Sequence, residues 1–272
     1  MQHNFDTPTA TSLYVEIGSG SVNLSAEEVT QTVVDVEGKD ADEVRVEQRG
    51  DQIVVIGPKN TSFFGGGRDL RVTVTMPTDS RFATKVGSAD VTARGRLGET
   101  MVRTGSGDVR VDEISGNALL ESGSGDLAIG AVAGELKIKT GSGDVEVDSV
   151  DGPTSVATGS GDVVIGKAGD VVQTKSGSGD TRIGDAAKDV SVSTASGDLV
   201  VDTMRRGELR ANNVSGDIRV GIPAGTPVWT DINTVTGSVR SRLESTGQPA
   251  EGQDYVEMRA KTVSGDVLLE PR

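Results

Sequence analysis

Residues 141–162 read GSGDVEVDSVDGPTSVATGSGD, so that Gly159-Ser160-Gly161-Asp162 repeats Gly141-Ser142-Gly143-Asp144 after 18 residues. The same tetrapeptide ends at Asp108, Asp126 and Asp180, with variants GSAD at Asp90 and ASGD at Asp198. Neighbouring copies are 18 residues apart every time. A strict period of this length marks a repeat architecture, in which each unit is one supersecondary element.

Within one period, Gly-Ser-Gly-Asp predicts a turn, because Gly enters positive φ cheaply and Asp accepts hydrogen bonds from nearby backbone N–H groups. Val145-Glu146-Val147 alternates apolar and polar, the pattern of a strand with one buried face. Asp151-Gly152-Pro153 is a second turn, and Thr154–Thr158 a second short strand. Leu127/Ile129, Val163/Ile165 and Leu199/Val201 fill the first strand elsewhere, and Leu136/Ile138 and Val190/Val192 the second. Such short strands bury too little to stand alone, so the coils must stack and share one core. The fold expected is all-β: a single-stranded parallel β-solenoid of the β-helix or β-roll kind, with 18-residue coils and strands ~4.8 Å apart.

Composition agrees with a thin coil. Gly accounts for 37 of 272 residues and aromatics for 3%, too little bulk for a thick sandwich core. The net charge of −14 opposes a phosphate backbone, which argues against a nucleic-acid partner. No apolar run approaches the length of a membrane span, and the first residues do not read as a secretory signal. The expectation is a cytoplasmic protein with no membrane insertion. Cysteine is absent, which removes disulfides, thiolate metal sites and a cysteine nucleophile.

Three regions are expected. Residues 1–85 read as irregular N-terminal β coils and a cap, 86–222 as the regular coils, and 223–272 as irregular C-terminal coils and a cap. In the first, Gly18-Ser19-Gly20-Ser21 is an early copy of the turn, with Ser21 in the place of Asp. Strand-like runs follow at 30–36, 44–48, 53–56 and 70–76 with less regular spacing. Residues 58–69 read as a loop in which Phe63 and Phe64 adjoin three glycines. The two rings either anchor a partner or fold back to plug the core. In the third region, Thr236-Gly237-Ser238 is a degenerate turn and Val263-Ser264-Gly265-Asp266 a faithful one. The last coil closes the chain, and Pro223, Pro227 and Trp229 are expected to form a bulkier C-terminal cover.

The stretch TSFFGGGRDLRVTVTMPTDS (61–80), followed by GSADV and serial GSGDV turns, resembles the bacterial β-strand-repeat family that carries the name putative adhesin, a domain of unknown function. The resemblance covers nearly the whole chain. It implies a β-solenoid and a non-enzymatic role, and it brings no catalytic residues.

The residues themselves support little chemistry. Stacked Gly-Asp turns invite comparison with calcium-binding nonapeptide rolls, which would make Asp108, Asp126, Asp144, Asp162, Asp180 and Asp198 the ligands. Those rolls place Asp two residues before the apolar position in both half-coils. Here Asp108 directly precedes Val109, and only one half-coil carries the motif. The structural alternative is that each carboxylate accepts a backbone N–H inside its own turn. No cofactor is expected, with Ca²⁺ the one candidate. A Ser-His-Asp triad has only His3 to draw on, and no aromatic platform for sugars is evident in the sequence. Outward positions Arg110, Ala128, Glu146, Val164, Arg182 and Val200 are too irregular for an ice-binding array. Thr140, Thr158 and Thr194, with Ser122 and Ser176, point inward, where hydroxyls can bond turn backbone. The function expected is a non-catalytic scaffold or adhesin-like protein-interaction module. The partner is an unknown protein or the chain itself, since unpaired strand edges at a coil end can template a rod or filament.

Overall fold

The computed structural model describes residues 1–58, 69–244 and 247–272, so Phe63 and Phe64 lie outside the described residues. Each regular period folds into two strands. Val145–Val150 and Thr154–Ser160 form one coil, and Val163–Ala168 and Val172–Ser178 the next. Equivalent strands pair in parallel and in register, so Val147, Ile165, Ile183 and Val201 form one inward column. All four are fully buried. The outward residues between them, Glu146, Val164 and Arg182, face solvent. Period-2 alternation in sequence thus becomes two parallel sheets with apolar inner faces.

The inward hydroxyls serve the corners as expected. Oγ1 of Thr140, Thr158 and Thr194 donates to the carbonyls of Ser142, Ser160 and Ser196 at 2.8, 2.9 and 3.0 Å. Ser122 Oγ donates to the Gly125 carbonyl and accepts from the Gly125 N–H.

The chain divides into two compact units, Met1–Gly134 and Glu135–Arg272. The boundary falls inside the stretch that the sequence presents as uniform coils. In the first unit one sheet runs Gln2–Asp6, Gln31–Glu37, Asp69–Pro77, Ser19–Glu27, Asp90–Leu97, Val109–Ile114, Leu127–Val132. The other runs Arg45–Arg49, Gln52–Ile56, Ser12–Ile17, Arg81–Val86, Thr100–Thr104, Ala118–Ser122. The coil made of Ser12–Ile17 and Ser19–Glu27 is therefore inserted between two coils that come later in the chain. Its glycine corner explains the placement. A Cβ on Gly20 would lie 1.9 Å from the Leu70 carbonyl oxygen, and one on Gly87 would lie 2.5 Å from that of Gly18. Only a glycine-cornered coil fits between these neighbours.

Among the described residues of this unit three pairings are antiparallel: Gln2–Asp6 with Gln31–Glu37, Gln31–Glu37 with Asp69–Pro77, and Arg45–Arg49 with Gln52–Ile56. The parallel coil expected from the repeat does not extend to these outer strands. They lack the Gly-Ser-Gly corner and return by reversal instead. Their edges are polar. Arg45, Glu47 and Arg49 alternate along one edge strand, and the N-terminal ammonium donates to the Val36 carbonyl at 2.6 Å. Charged, short edges discourage further strand addition.

In the second unit one sheet ends Leu199–Met204, Ile218–Ile222, Val267–Pro271, Val239–Ser241. The other ends Val190–Ser196, Gly207–Ser215, Val256–Ser264, Val228–Thr236. The last coil in sequence is not the outermost of the stack. It is inserted, and Val228–Thr236 with Val239–Ser241 lies outside it. The glycine column keeps this order: Gly265 packs on the Gly216 carbonyl and Gly237 on the Gly265 carbonyl, each at 2.1 Å from the Cβ position. The only helix among the described residues is the single turn Ala41–Glu43, and none is long and apolar enough to cross a membrane.

Several surface carboxylates are held below the ordinary value of 3.8. Asp79 accepts from Ser115 Oγ at 2.7 Å and pairs with Arg96, Asp185 pairs with Arg205, and Asp266 accepts from Ser238. A lowered folded pKa contributes stability that is fully present above the unfolded value and is lost as pH falls through the folded one. The thermal midpoint is therefore expected to be flat between about pH 7 and 5 and to decline below about pH 4. Melts followed by circular dichroism across that range test this, and a midpoint unchanged at pH 2 would contradict it.

Candidate interaction surface

The aspartates of the repeat come together as ladders along the coil corners. In the first unit the Asp108 N–H donates to Asp90 Oδ1 and the Asp126 N–H to Asp108 Oδ1, both at 3.1 Å. In the second, Asp162 donates to Asp144, Asp180 to Asp162 and Asp198 to Asp180, all at 2.8 Å. The ladder continues through Asp217 and Asp266 at 2.7 Å and ends where the Ser238 N–H donates to Asp266 Oδ1 at 2.8 Å. Asp90, Asp108, Asp144, Asp162, Asp180, Asp198, Asp217 and Asp266 do each accept a backbone N–H. The donor, however, belongs to the next coil and not to the same turn. The short aspartate side chain spans one inter-strand step and supplies the acceptor for the one corner N–H that no carbonyl of the neighbouring coil takes. Among the described residues no group of three or more His, Asp or Glu is placed to hold a metal ion together.

This geometry gives a sharp expectation. Asp180→Asn keeps Oδ1 and should leave the melting midpoint within error. Asp180→Ala strands the Asp198 N–H and should lower it by on the order of 2–4 °C. Differential scanning calorimetry of the two variants decides, and equal effects would show that charge matters more than the acceptor.

The outermost coil of the second unit has a different character. On its inner side Val228, Ile232 and Thr234 are only partly buried, and Thr230 is exposed. In the regular coils the matching positions are closed. Val239, on the other sheet, is 47% exposed. A cleft of about 320 Å³ opens here, lined by Val228, Ile232, Val239, Leu243 and Leu269. Of the residues expected to cover this end, Pro227 is buried and Pro223 partly so, whereas Trp229 points outward and is 53% exposed.

On the outer side, the Arg259 guanidinium lies 5.9 Å from the Trp229 ring centroid and bonds Glu257. Trp229, Tyr255 and Arg259 share a second cleft with Pro227, Gln248 and Pro249. An exposed aromatic pair is thus present, although residues 26 apart in sequence give no sign of it. Parallel pairing of Val228–Thr236 with Val256–Ser264 brings them together.

Near the corner, Val214, Val263 and Val235 are also exposed, Val235 by 75%. They occupy the place of the first Gly in Gly-Ser-Gly-Asp. In the regular coils a Cβ there would strike a carbonyl, at 2.6 Å for Gly159 and 2.7 Å for Gly177. From Ala195 onward the place is no longer reserved for Gly, and valine fills it. That replacement of Gly by Val is the signal in the sequence that could have found the patch.

Two parallel sheets, glycine-packed corners and aspartate ladders define a β-solenoid. The chain belongs to the Toastrack DUF4097 family, whose profile matches residues 10–205 and again 171–270. No curated protein matches it. Similar solved structures include a putative adhesin from Bacteroides fragilis, 12% identical over 100% of this chain and 96% of that one, with a TM-score of 0.42. A putative adhesin from Parabacteroides distasonis is 10% identical over 99% and 96%, with a TM-score of 0.47. A putative lipid binding protein from the same organism is 10% identical over 100% and 96%, with a TM-score of 0.42.

Proposed function

We propose that the chain is a non-catalytic protein-interaction scaffold whose contact surface is the outermost coil of the second unit. One observation carries this reading. Of the ten large apolar residues exposed among the described residues, six lie between 214 and 263: Val214, Trp229, Val235, Val239, Tyr255 and Val263. Apolar residues scattered singly on a surface need no explanation, whereas a cluster of them around an open strand edge marks a binding face. Tyr, Trp and Arg are also the residues that most often anchor interfaces. The regular coils instead present mixed charge and no concave group of acids and bases.

The test compares the wild-type chain with a Trp229→Ser/Val235→Ser double variant as immobilised baits. Proteins retained by the first and reduced about tenfold on the second support the reading. Equal retention on both baits would overturn it. Both changes are at exposed positions, so circular dichroism should report the same fold.

A further inference from the structure

We infer that the outermost strand, Val228–Thr236, is built to pair with its own copy, joining two chains through a two-fold axis at Ile232. This deepens the interaction reading above and rests on it. The strand bonds only Val256–Ser264 among the described residues, so its other edge is open. It is nine residues long and carries a single charge, Asp231. The first unit's edge strand Arg45–Arg49 carries three charged residues in five. An open, weakly charged, β-branched edge is a template for another strand.

The sequence of this edge identifies the strand that fits. Antiparallel pairing must keep inner residues opposite inner residues, because a shift of one place turns every side chain to the wrong face. That leaves registers two residues apart. Centred on Ile232, the strand VWTDINTVT sets Trp229 against Val235, Thr230 against Thr234, Asp231 against Asn233, and Ile232 against itself. Apolar meets apolar, hydroxyl meets hydroxyl, and a carboxylate meets an amide. Centred on Asp231, the strand would set two carboxylates face to face. Centred on Asn233, it would set Asp231 against Val235. Of these three, the register on Ile232 alone avoids opposing two carboxylates or a carboxylate and a valine. It also brings two open cores together, covering Ile232 and its neighbours with their own copies. A contact of this kind is isologous and closes at two chains.

Asn233 separates the outcomes, because it is exposed and within its own chain gives up only a surface bond from its amide to Asp231 Oδ1 at 3.2 Å; equal melting midpoints for the variants and the wild type check that the single chain still folds. In the Ile232 register Asn233→Asp places like charges opposite each other twice per pair. Asn233→Lys instead sets an ammonium opposite Asp231 at both places. Sedimentation velocity over a concentration series should show a monomer–dimer equilibrium for the wild type. Its dissociation constant should rise about tenfold in Asn233→Asp and stay level or fall in Asn233→Lys. A wild type that is monomeric throughout, variants that behave alike, or growth beyond the dimer would each overturn the pairing. A monomer whose bait still loses partners with the Trp229→Ser/Val235→Ser change would sink this inference alone and leave the scaffold reading standing.

Discussion

Gly179→Ala is expected to destabilise the second unit by roughly 3–5 kcal/mol, combining backbone strain and overpacking. Gly179 has φ +118°, a conformation that side chains rarely adopt, and its Cβ would lie 2.2 Å from the Gly161 carbonyl oxygen. That oxygen is backbone, fixed by its own corner, and cannot swing aside. The neighbouring first glycine of the same turn offers the control. Gly177 carries no positive φ, and its Cβ would lie 2.7 Å from the Gly159 oxygen. Alanine already stands at the equivalent position 195. Gly177→Ala should therefore cost clearly less. Chemical denaturation of both variants measures the difference, and equal costs would refute the distinction between the two glycine columns. The second glycine is not held the same way throughout: Gly107 and Gly125 do not have positive φ, and there close approach alone excludes a side chain.

Ile165→Ala should cost about 2–5 kcal/mol, the usual range for emptying a packed aliphatic site. Ile165 is fully buried and stacked between Val147 and Ile183. The thin core has few residues per coil, so neighbours cannot refill the gap without breaking register with the strands above and below. Ile165→Val should cost about 0.5–1.5 kcal/mol by the same reasoning. Val164→Ala, one residue away on the outer face, should change little. Urea unfolding of the three variants checks the ordering. A large effect at Val164 would mean that the outer face packs against something in solution.

The regular coils were legible because their information is local. Alternation of Val145, Glu146 and Val147 fixes which side chain faces in, and the 18-residue spacing fixes what it meets. The inward hydroxyls followed from the same alternation. The order of coils at the ends was not legible, because spacing in sequence does not say which coil lies beside which. One clue was present: Val263-Ser264-Gly265-Asp266 is the more faithful copy of the corner, and Thr236-Gly237-Ser238 the less faithful. The faithful copy has neighbours on both sides and must satisfy both. The degenerate copy has one. The aspartate's role was legible as an acceptor, but its donor sits one coil away and no local rule points there. That Trp229 and Tyr255 share a cleft was not legible, because strand pairing with an inserted coil, and not proximity in sequence, makes them neighbours.

The inserted coils also limit how such a chain can change its length over evolution. Loss of the final stretch, Val256–Pro271, would leave Val228–Thr236 without the strand that it pairs with. Between Val145–Val150 and Val190–Ser196, by contrast, successive strands pair at a constant 18-residue step. There a whole coil can be duplicated or deleted as one 18-residue block while the second glycine column and the aspartate ladder rejoin unchanged. A change in coil number is thus least disruptive in the middle, and the inserted coils tie each end to its neighbours.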